Sequence, residues 1–439
     1  MKLTVIGTGY LGAVHAACMA ELGHDVLGMD VDEAKIEALA AGRPPFFEPG
    51  LADVLERTVA SGALRFTTSL AEAAEFGDVH FVCVGTPQRP GSYAADLRHI
   101  DRVIDGLAPH LDRQCLVVGK STVPVGTAER LAHRVAELSS VGSAAEVAWN
   151  PEFLREGYAV QDTLHPDRLV TGVTSARADA VLRQVYAKLL DAGTPYITMD
   201  LPTAELVKVS ANAFLATKIS FINAISDVCE ASGGDIVTLA DAIGYDSRIG
   251  HRFLSAGLGF GGGCLPKDIR AFMARAGELG ADEALTFLRE IDEINMRRRK
   301  RTVDLARELV GGSFLGRNVA VLGAAFKPDS DDVRDSPALN VAAAIHLQGG
   351  QVRVHDPEAI DNARALFPTL DYAYDVAKAC EGADIVLHLT EWREYRDLDL
   401  VELASVVRTP RVLDARNALD IDSWRAAGWS VRALGRPVR

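Results

Sequence analysis

The chain has 439 residues, which exceeds one ordinary domain and predicts two or three domains of about 100–200 residues each. Its hydrophobic fraction of 48% indicates a globular protein with a sizeable core, and its net charge of −14 argues against a general nucleic-acid binder. No cleavable signal and no apolar run of about 20 residues are found, so we expect a cytoplasmic protein with no membrane partner. The six cysteines are widely spread without a C-x-x-C pair, so we expect reduced thiols and no metal site.

Short apolar runs alternate with helical patterns through residues 1–202, which predicts a doubly wound parallel sheet covered on both faces. The predicted strands are KLTVIG, DVLGMD, VHFVCVG, CLVVGK, EVAWN, RLVTGV and PYITMD. Residues 203–312 are mainly helical, and strands return in residues 313–439 at NVAVLG, QVRVHD, ADIVLHL and RVLDA. The sequence therefore predicts an α/β fold with two Rossmann-like domains, joined by a central helical domain with a long helix.

The first strand runs into the pattern Gly7-x-Gly9-x-x-Gly12, which opens a helix. In this context the first glycine makes a tight turn, the second lets a pyrophosphate approach the backbone, and the third packs helix on strand. Asp30 ends the second strand, where a carboxylate accepts from both ribose hydroxyls and repels a 2′-phosphate. The pattern predicts a dinucleotide site for NAD rather than NADP, with a purely structural glycine turn as the alternative.

Polar residues follow three further strands, at the edge where such sheets bind ligands. Thr86 and Thr122 end two of them. A threonine alone is more often a turn residue or a helix cap, but its position on a nucleotide-binding sheet favours a functional role. Glu152 and Glu156, in NPEFLREG, follow a third strand, with solvated loop carboxylates as the alternative.

A strong helix is predicted over TAELVKVSANAFLATKISFINAISDV, where Lys208 and Asn212 share a face that is otherwise apolar. A lysine on an apolar stripe either extends to water or is held near a site. The asparagine one turn later supplies a second polar group, which favours a site. Within another predicted long helix, the basic run RRRKR at 297–301 is interpreted as a solvated or subunit-facing stripe.

Cys264 stands between a run of glycines and Leu-Pro-Lys-Asp in GLGFGGGCLPKD. Glycines let another molecule approach closely, so this thiol should be reachable, whereas the other five cysteines lie in apolar contexts. A helix beginning near Pro266 would stabilise the thiolate at its N-terminus. Asp268 either complements that helix dipole or positions a water or lysine. Cys264 is thus a candidate nucleophile.

Several motifs occur in one order along essentially the whole chain: GTGYLG, EPGL, KSTVPVGT, NPEFLREG, KVSANAFLATKISFIN, SRIG, GFGGGCLPKD and FKPDSDDVRDSP. On these motifs the chain resembles the UDP-glucose/GDP-mannose dehydrogenases. It departs from the family pattern at Gly263, where Ser is frequent, and at Gly85, where Asn is common.

The resemblance implies a four-electron oxidation of the C6 alcohol of a nucleotide-diphosphate glucose to a carboxylate, with two NAD used in turn. UDP-glucose is the favoured substrate and UDP-glucuronate the product, with TDP-glucose or GDP-mannose as alternatives. Cys264 would capture the intermediate aldehyde as a thiohemiacetal, whose oxidation gives a thioester for water to cleave. The residues that the resemblance assigns to catalysis are Cys264, Lys208, Asn212, Asp268, Glu152 and Thr122.

The resemblance also implies a set of ligand contacts and a homodimer formed through the helical domain. The implied cofactor-binding residues are Gly7, Gly9, Tyr10, Leu11, Gly12, Asp30, Lys35, Thr86, Thr122, Glu156, Lys267 and Arg334. The implied substrate-binding residues are Glu152, Phe153, Leu154, Arg155, Lys208, Asn212, Arg248, Phe253, Leu254, Phe260, Gly261, Lys327 and Arg416, with Arg248 reaching into the partner subunit.

Two other functions compete with this hypothesis. A one-step NAD-dependent hydroxyacid dehydrogenase also combines a Rossmann domain with a helical Lys-x-x-x-Asn pair, but needs neither Cys264 nor a C-terminal α/β domain. A catalytically dead NAD-binding sensor or scaffold would have lost active-site residues, and all of them are present.

Overall fold

A computed structural model of the protein describes residues 1–437. The chain forms two compact units: Met1–Ala211 with Arg270–Gly280 (unit 1), and Asn212–Ile269 with the residues from Ala281 onward (unit 2). The predicted division into three domains is not tested by this partition and stays a prediction. Within residues 1–437, no helix has the length and apolar character needed to cross a bilayer.

Unit 1 has an α/β fold, and the central strands of its sheet are fully buried. Its strands are β1 (Lys2–Ile6), β2 (Asp25–Met29), β3 (Leu64–Thr67), β4 (Val79–Val82), β5 (Cys115–Gly119), β6 (Ala145–Trp149), β7 (Leu169–Gly172) and β8 (Tyr196–Met199). Its helices are α1 (Tyr10–Glu21), α2 (Glu33–Ala40), α3 (Leu51–Ala60), α4 (Leu70–Phe76), α5 (Arg98–Leu107), α6 (Thr127–Leu138), α7 (Ala159–Leu164), α8 (Ala176–Val185) and α9 (Ala187–Asp191). Every residue of β4 and β5 is buried, as continuous apolar runs predict.

The strand order in this sheet is β3-β2-β1-β4-β5-β6-β7-β8. The pairs from β3 to β6 are parallel, so the polar residues that follow β1, β4, β5 and β6 emerge at one edge of the sheet. One junction departs from the predicted parallel sheet, because β6 and β7 pair antiparallel at Trp149 and Gly172. β8 then pairs parallel with β7.

The boundary between the two units falls within two of the central helices. α10 (Leu201–Ser232) has 32 residues, with its only proline in the first turn, and α12 (Leu265–Glu278) follows Cys264. Gly233 adopts a left-handed φ of 80° directly after α10, as is usual where a helix ends. The other helices here are α11 (Ile236–Gly244) and α13 (Thr286–Leu309).

The C-terminal part of unit 2 is a second parallel sheet, in the order β11-β10-β9-β12-β13-β14. Its strands are β9 (Asn318–Leu322), β10 (Gln351–His355), β11 (Asp371–Tyr372), β12 (Ile385–His388), β13 (Arg411–Asp414) and β14 (Ser430–Ala433). Its helices are α14 (Pro337–Leu347), α15 (Ile360–Leu366), α16 (Val376–Cys380), α17 (Leu400–Val406) and α18 (Ile421–Ala426). Two Rossmann-like sheets and a long central helix are therefore present, as predicted.

Candidate active site

The glycine pattern after β1 has the geometry that a dinucleotide loop requires. Gly7 adopts a φ of 88°, and a Cβ on Gly12 would lie 1.8 Å from the Gly7 carbonyl oxygen, so both positions exclude a side chain. A Cβ on Gly9 would meet no protein atom within 4 Å. Gly9 therefore leaves open space at the N-terminus of α1, where a pyrophosphate can approach. Tyr10 and Leu11 begin that helix.

Asp30 stands directly after β2, and its carboxylate is held by the loop it faces. Its Oδ2 accepts from Thr8 N at 2.8 Å and from Lys35 Nζ at 3.1 Å. Burial alone raises the pKa of the Asp30 carboxyl, but the hydrogen bonds from Thr8 and Lys35 bring the net pKa below its usual value. An ionised carboxylate fits the ribose hydroxyls of NAD, so these residues match the predicted cofactor.

A buried carboxylate that the sequence interpretation missed connects the glycine loop to NPEFLREG. Glu48, in EPGL, is 5% exposed and accepts from the Tyr10 hydroxyl and from Gly157 N at 2.7 Å. Its other oxygen accepts from Ala159 N at 2.6 Å, at the start of α7. Tyr10 is thus fixed by Glu48, and the EPGL motif was the available signal for it.

Thr86 and Thr122 lie next to each other at the ligand edge of unit 1. Thr86 Oγ1 donates to the Thr122 carbonyl oxygen at 2.6 Å, so this hydroxyl supports the loop after β5. The same loop is held from α10, since Glu205 accepts from Gly126 N at 2.7 Å and from Ala128 N at 2.6 Å. Glu205 is a further residue that local pattern did not reveal.

Lys208 and Glu152 form a buried ion pair within unit 1. Lys208 Nζ lies 3.2 Å from Glu152 Oε1, and the two side chains are 6% and 13% exposed. Glu152 Oε2 accepts from Leu154 N at 2.6 Å, which fixes the carboxylate. Two cations lie close to the Phe153 ring: Lys208 Nζ is 5.5 Å from the ring centroid, and the Arg168 guanidinium is 4.0 Å from it. The predicted catalytic acid and lysine are therefore in direct contact.

The last residues of NPEFLREG differ in their exposure. Arg155 forms a bidentate pair with Asp162 at 2.6 and 2.9 Å and is exposed, while Glu156 is half-buried. Leu154 is partly buried against the core of unit 1.

Cys264, in unit 2, is exposed, and the other five cysteines within residues 1–437 are buried without disulfides. It directly precedes α12, whose N-terminus favours a thiolate. Asp268 N donates to the Cys264 carbonyl oxygen at 2.9 Å, so the thiol residue is held in the first turn of this helix. The predicted helix start and the predicted reachable thiol are both confirmed.

Asp268 lies one turn beyond the thiol and is 1% exposed. It accepts from Asn212 Nδ2 at 2.6 Å and pairs with Lys267 Nζ at 2.5 Å. Three of the predicted site residues in unit 2 are thus joined in one cluster next to Cys264.

The glycines before the thiol allow close packing of the loop within unit 2. A Cβ on Gly257 would lie 2.6 Å from the Ala415 carbonyl oxygen, and one on Gly261 would lie 2.3 Å from the Asp335 carbonyl oxygen. A Cβ on Gly263 would meet the Arg334 guanidinium at 2.5 Å. These glycines therefore let protein atoms pack closely against the loop, and the end of the loop, at Cys264, is exposed.

The interpretation of RRRKR as a solvated or subunit-facing stripe is wrong for its second and third residues. Arg298 is 1% exposed and Arg299 is 5% exposed. Arg298 Nε donates to the Gly257 carbonyl oxygen at 3.0 Å, and Arg299 Nη2 donates to the Phe260 carbonyl oxygen at 3.2 Å. These two arginines therefore hold residues 257–264, which we call the thiol loop. Asn295, also on α13, accepts a hydrogen bond from Phe260 N and donates one to the Phe260 carbonyl oxygen.

Arg416 and Arg334, from the C-terminal part of unit 2, also border the thiol loop. Arg416 donates to the carbonyl oxygens of Gly259 at 2.9 Å and Leu389 at 2.7 Å. Arg334 is exposed and forms a bidentate pair with Asp332, and Lys327 is half-buried.

Arg248 is exposed, and its guanidinium forms an ion pair with Asp246. Phe253 is exposed at a left-handed φ of 65°, whereas Leu254 is 4% exposed.

Comparison with known proteins agrees with these features over all three parts of the chain. The NAD binding domain of the UDP-glucose/GDP-mannose dehydrogenase family matches residues 1–190, its central domain matches 202–297, and its UDP binding domain matches 320–421. The chain belongs to the UDP-glucose/GDP-mannose dehydrogenase family.

Relatives within this family are similar over their full length. A UDP-glucose 6-dehydrogenase of Rhizobium meliloti (strain 1021) is 42% identical over 439 residues, covering 100% of both chains. UDP-glucose 6-dehydrogenase TuaD of Bacillus subtilis (strain 168) is 40% identical over 438 residues, covering 100% of this chain and 94% of that protein. The structure of a UDP-glucose dehydrogenase from Pyrobaculum islandicum is 39% identical, covers 98% of each chain and has a TM-score of 0.89. The protein is therefore an NAD-dependent sugar dehydrogenase, which excludes the one-step hydroxyacid dehydrogenase.

Proposed function

We propose that this protein oxidises the C6 alcohol of UDP-glucose to the carboxylate of UDP-glucuronate, with Cys264 as the nucleophile. The observation that carries the proposal is an exposed thiol at the N-terminus of α12, one turn before a buried carboxylate that binds an asparagine and a lysine. The relatives of about 40% identity are named UDP-glucose 6-dehydrogenases, which favours UDP-glucose over TDP-glucose and GDP-mannose.

The chemistry balances in four steps. In the first oxidation a C6–H bond breaks, the hydride leaves and the hydroxyl proton is released, which gives an aldehyde. The Cys264 sulfur then bonds to C6 and its proton goes to the carbonyl oxygen, forming a thiohemiacetal. Loss of a second hydride and of the hydroxyl proton gives a thioester, and water then cleaves the C–S bond. One sugar and one water yield one carboxylate, two hydrides and three protons. When bound, NAD supplies the hydride acceptor, so two are needed per sugar.

The polar side chains around these steps have distinct tasks in the proposal. Lys208 and Asn212, four residues apart on α10, stabilise the negative charge that develops on the C6 oxygen. Glu152 takes a proton from the attacking water, which Thr122 helps to hold, and Asp268 orients Asn212 and exchanges protons near the thiol. Support comes from the Lys208–Glu152 pair in unit 1 and the Asn212–Asp268 hydrogen bond in unit 2.

Ligand binding in the proposal follows the loops described above. NAD would be held by the glycine loop, Asp30 and Lys35, with Thr86 and Glu156 beside it. The remaining residues proposed to face the cofactor or the sugar nucleotide are Lys267, Arg334, Phe153, Leu154, Arg155, Arg248, Phe253, Leu254, Phe260, Gly261, Lys327 and Arg416.

The test is the number of NADH formed per sugar nucleotide consumed, with UDP-glucose, TDP-glucose and GDP-mannose assayed in parallel. We expect two NADH per UDP-glucose and a lower rate with the other two. Cys264→Ala should abolish complete turnover, and Cys229→Ala, which changes a buried cysteine, is its matched control. One NADH per sugar would refute the thioester route, and none with any sugar would refute the enzymatic proposal.

We also propose a homodimer formed through α10. Phe214, Phe221 and Val228 recur every seven residues on this helix and are 66%, 50% and 60% exposed. Seven residues are close to two helical turns, so the three side chains lie along one face. An apolar stripe of this length on a helix favours a second copy of the same helix as its partner.

Sedimentation analysis of the wild type and of Phe221→Asp tests the dimer. The variant should sediment as a monomer at concentrations where the wild type is a dimer. Leu347→Asp, at a residue 85% exposed on α14, is the control and should leave the dimer intact. A monomeric wild type would refute the proposal.

The cytoplasm is the proposed location, because six thiols without a disulfide suit a reducing compartment. Fractionation of cells that express the protein would test this, and recovery outside the cytoplasm would refute it.

A further inference from the structure

Arg416 directs three of its N–H groups at backbone carbonyls in three different loops of unit 2. Its Nε donates to the Leu389 carbonyl oxygen at 2.7 Å, its Nη1 to that of Gly259 at 2.9 Å, and its Nη2 to that of Phe326 at 3.3 Å. The Glu391 carboxylate also lies 3.3 Å from Nε. Because a guanidinium carries five N–H groups, the contacts within residues 1–437 leave one N–H on each terminal nitrogen for a ligand.

The loop that carries Arg416, residues 415–419, is held by one buried carboxylate; we call it the arginine loop. Asp414 ends β13 and is fully buried. Its Oδ1 accepts from Arg416 N at 3.0 Å, and its Oδ2 accepts from Ala418 N and from Leu419 N, both at 2.9 Å. Asp414 therefore fixes the backbone from which the Arg416 side chain extends.

The arginine loop packs against the thiol loop. A Cβ on Gly257 would lie 2.6 Å from the Ala415 carbonyl oxygen, so these two backbones are in close contact. Asn417 adopts a left-handed φ of 54°, which asparagine tolerates better than most residues, and its Nδ2 donates to the Ala256 carbonyl oxygen at 3.1 Å. The arginine loop therefore has little freedom to shift along the thiol loop.

His388 lies opposite Asp414 on the neighbouring strand β12 and binds the same carboxylate. His388 Nδ1 is 2.9 Å from Asp414 Oδ1, and its carbonyl oxygen accepts from Ala415 N at 3.0 Å. Burial alone raises the pKa of the Asp414 carboxyl, but His388 and the backbone donors bring the net pKa below its usual value. An ionised carboxylate has no proton to give, so the imidazole donates from Nδ1. Each oxygen of Asp414 thus accepts two hydrogen bonds.

We propose that Asp414 and His388 are positioning residues for Arg416, which hold its guanidinium so that its two remaining N–H groups meet oxygen atoms of the sugar nucleotide. The inference rests on the proposed function, in which Arg416 faces this substrate. A guanidinium presents its donors in a fixed plane, so a fixed loop reduces the ordering that a long side chain needs before it can bind. Asp414 and His388 are buried in the sheet, so they act through Arg416 and do not contact the substrate.

The dissociation constant for UDP-glucose tests this inference, measured by isothermal titration calorimetry without NAD so that no turnover occurs. In Asp414→Asn the new amide places N–H groups opposite backbone donors, so the arginine loop loses acceptors. We expect the Kd to rise about tenfold or more, as for loss of a hydrogen bond to a charged group.

Asp384→Asn is the matched control for that variant. Asp384 is 4% exposed and accepts from Asn318 N at 2.8 Å, but it directly precedes β12 and so lies at the opposite edge of the same sheet. Both variants should lower the thermal midpoint, and only Asp414→Asn should weaken the binding of UDP-glucose. Equal increases in Kd, or an unchanged Kd in Asp414→Asn, would overturn the inference.

A double-mutant cycle separates positioning from a general structural role. If Asp414 acts through Arg416, then Asp414→Asn causes no further loss of affinity in an Arg416→Ala background. Losses of affinity that add in the double variant would overturn the inference.

His388 supplies a second pair of variants, which decides the question if Asp414→Asn does not fold. In His388→Asn the amide nitrogen takes the place of Nδ1 and still donates to Asp414, whereas His388→Leu offers no donor. We expect His388→Asn to bind UDP-glucose like the wild type, and His388→Leu to bind about threefold more weakly or worse, as for loss of one hydrogen bond. Equal affinities of the two variants would overturn the inference.

Arg416→Ala separates this inference from the proposed function. If that variant binds UDP-glucose as tightly as the wild type, Arg416 does not face the substrate, and both its proposed role and the inference fail. If Arg416→Ala binds weakly but Asp414→Asn binds like the wild type, only the inference fails. If the wild type binds UDP-glucose but forms no NADH from it, the enzymatic proposal fails, and the dissociation constants still decide the inference.

Discussion

Asn212 Nδ2 donates a 2.6 Å hydrogen bond to Asp268 Oδ2, while Lys267 Nζ lies 2.5 Å from the other oxygen of the same carboxylate. Asp268 is 1% exposed, so both of its oxygens are held by protein donors. This arrangement fixes the Asn212 amide next to the helix turn that carries Cys264.

Replacing Asp268 by Asn should therefore impair catalysis far more than stability. The amide presents N–H groups to donors that need an acceptor, which leaves a buried donor unpaired and misorients Asn212. We expect kcat with UDP-glucose to fall by about 10²–10⁴-fold, as for loss of a group in proton transfer. Asp304→Asn, at a surface acid paired with Lys300, is the control and should retain full activity. Equal kcat values for the two variants would contradict this assignment.

A single thiol should react rapidly when the native protein meets iodoacetamide at pH 8. Burial raises the pKa of Cys18, Cys83 and Cys380 to about 12 and that of Cys115 to about 11, so these thiols are both protonated and inaccessible. Peptide mass spectrometry should place the first label on Cys264, with loss of activity in proportion to labelling. Rapid labelling of any buried cysteine, or full activity after Cys264 is labelled, would contradict the prediction.

Gly9→Ala should weaken NAD binding without destabilising the fold. The new Cβ meets no protein atom within 4 Å, and Gly9 has a φ of −67°, which alanine adopts freely. The methyl group would instead occupy the space where the pyrophosphate approaches, so the KM for NAD should rise about tenfold or more.

The matched comparison for that variant is Gly12→Ala. Its Cβ would lie 1.8 Å from the Gly7 carbonyl oxygen, so this change should lower the thermal midpoint markedly. A lowered midpoint in Gly9→Ala, or an unchanged KM for NAD, would show that the space beside Gly9 is not the pyrophosphate site.

Glu205 should make the stability of the protein depend on pH between about 4.5 and 7. Burial raises the pKa of its carboxyl to about 7, although hydrogen bonds from Ala128 N and Gly126 N oppose this. Between the unfolded and folded pKa values the native state binds more protons, so the contribution of Glu205 to stability falls as the pH rises.

Thermal midpoints at pH 5 and pH 8 test this sign. The advantage of the wild type over Glu205→Gln should be larger at pH 5 than at pH 8. Glu56→Gln, at an exposed acid on α3, should differ from the wild type by the same amount at both pH values. A wild-type advantage that grows with pH would show that the two backbone donors outweigh burial and hold Glu205 ionised.

The local pattern of apolar residues in the sequence was sufficient to predict most of the strands. Each of the predicted strands is present, and all of them except the edge strand β8 lie inside a sheet, where apolar residues are buried on both faces. The strands that the pattern missed are β3, β11 and β14, which lie at sheet edges. An edge strand pairs on one side and is partly exposed, so LRFT, DY and SVRA lack the continuous apolar run.

By itself, the sequence determined the two Rossmann-like sheets, the glycine loop with Asp30, and a reachable Cys264 at a helix start, because each depends on neighbours within a few residues. Only the tertiary structure decided which polar residues are buried and what they hold. Arg298 lies within a charged run, yet it is buried against Gly257, 41 residues away in the sequence. Lys120 meets Asn150 across 30 residues, and Glu205 meets Ala128 across 77. A buried charge is stable only where such distant partners converge, and spacing along one segment cannot reveal them.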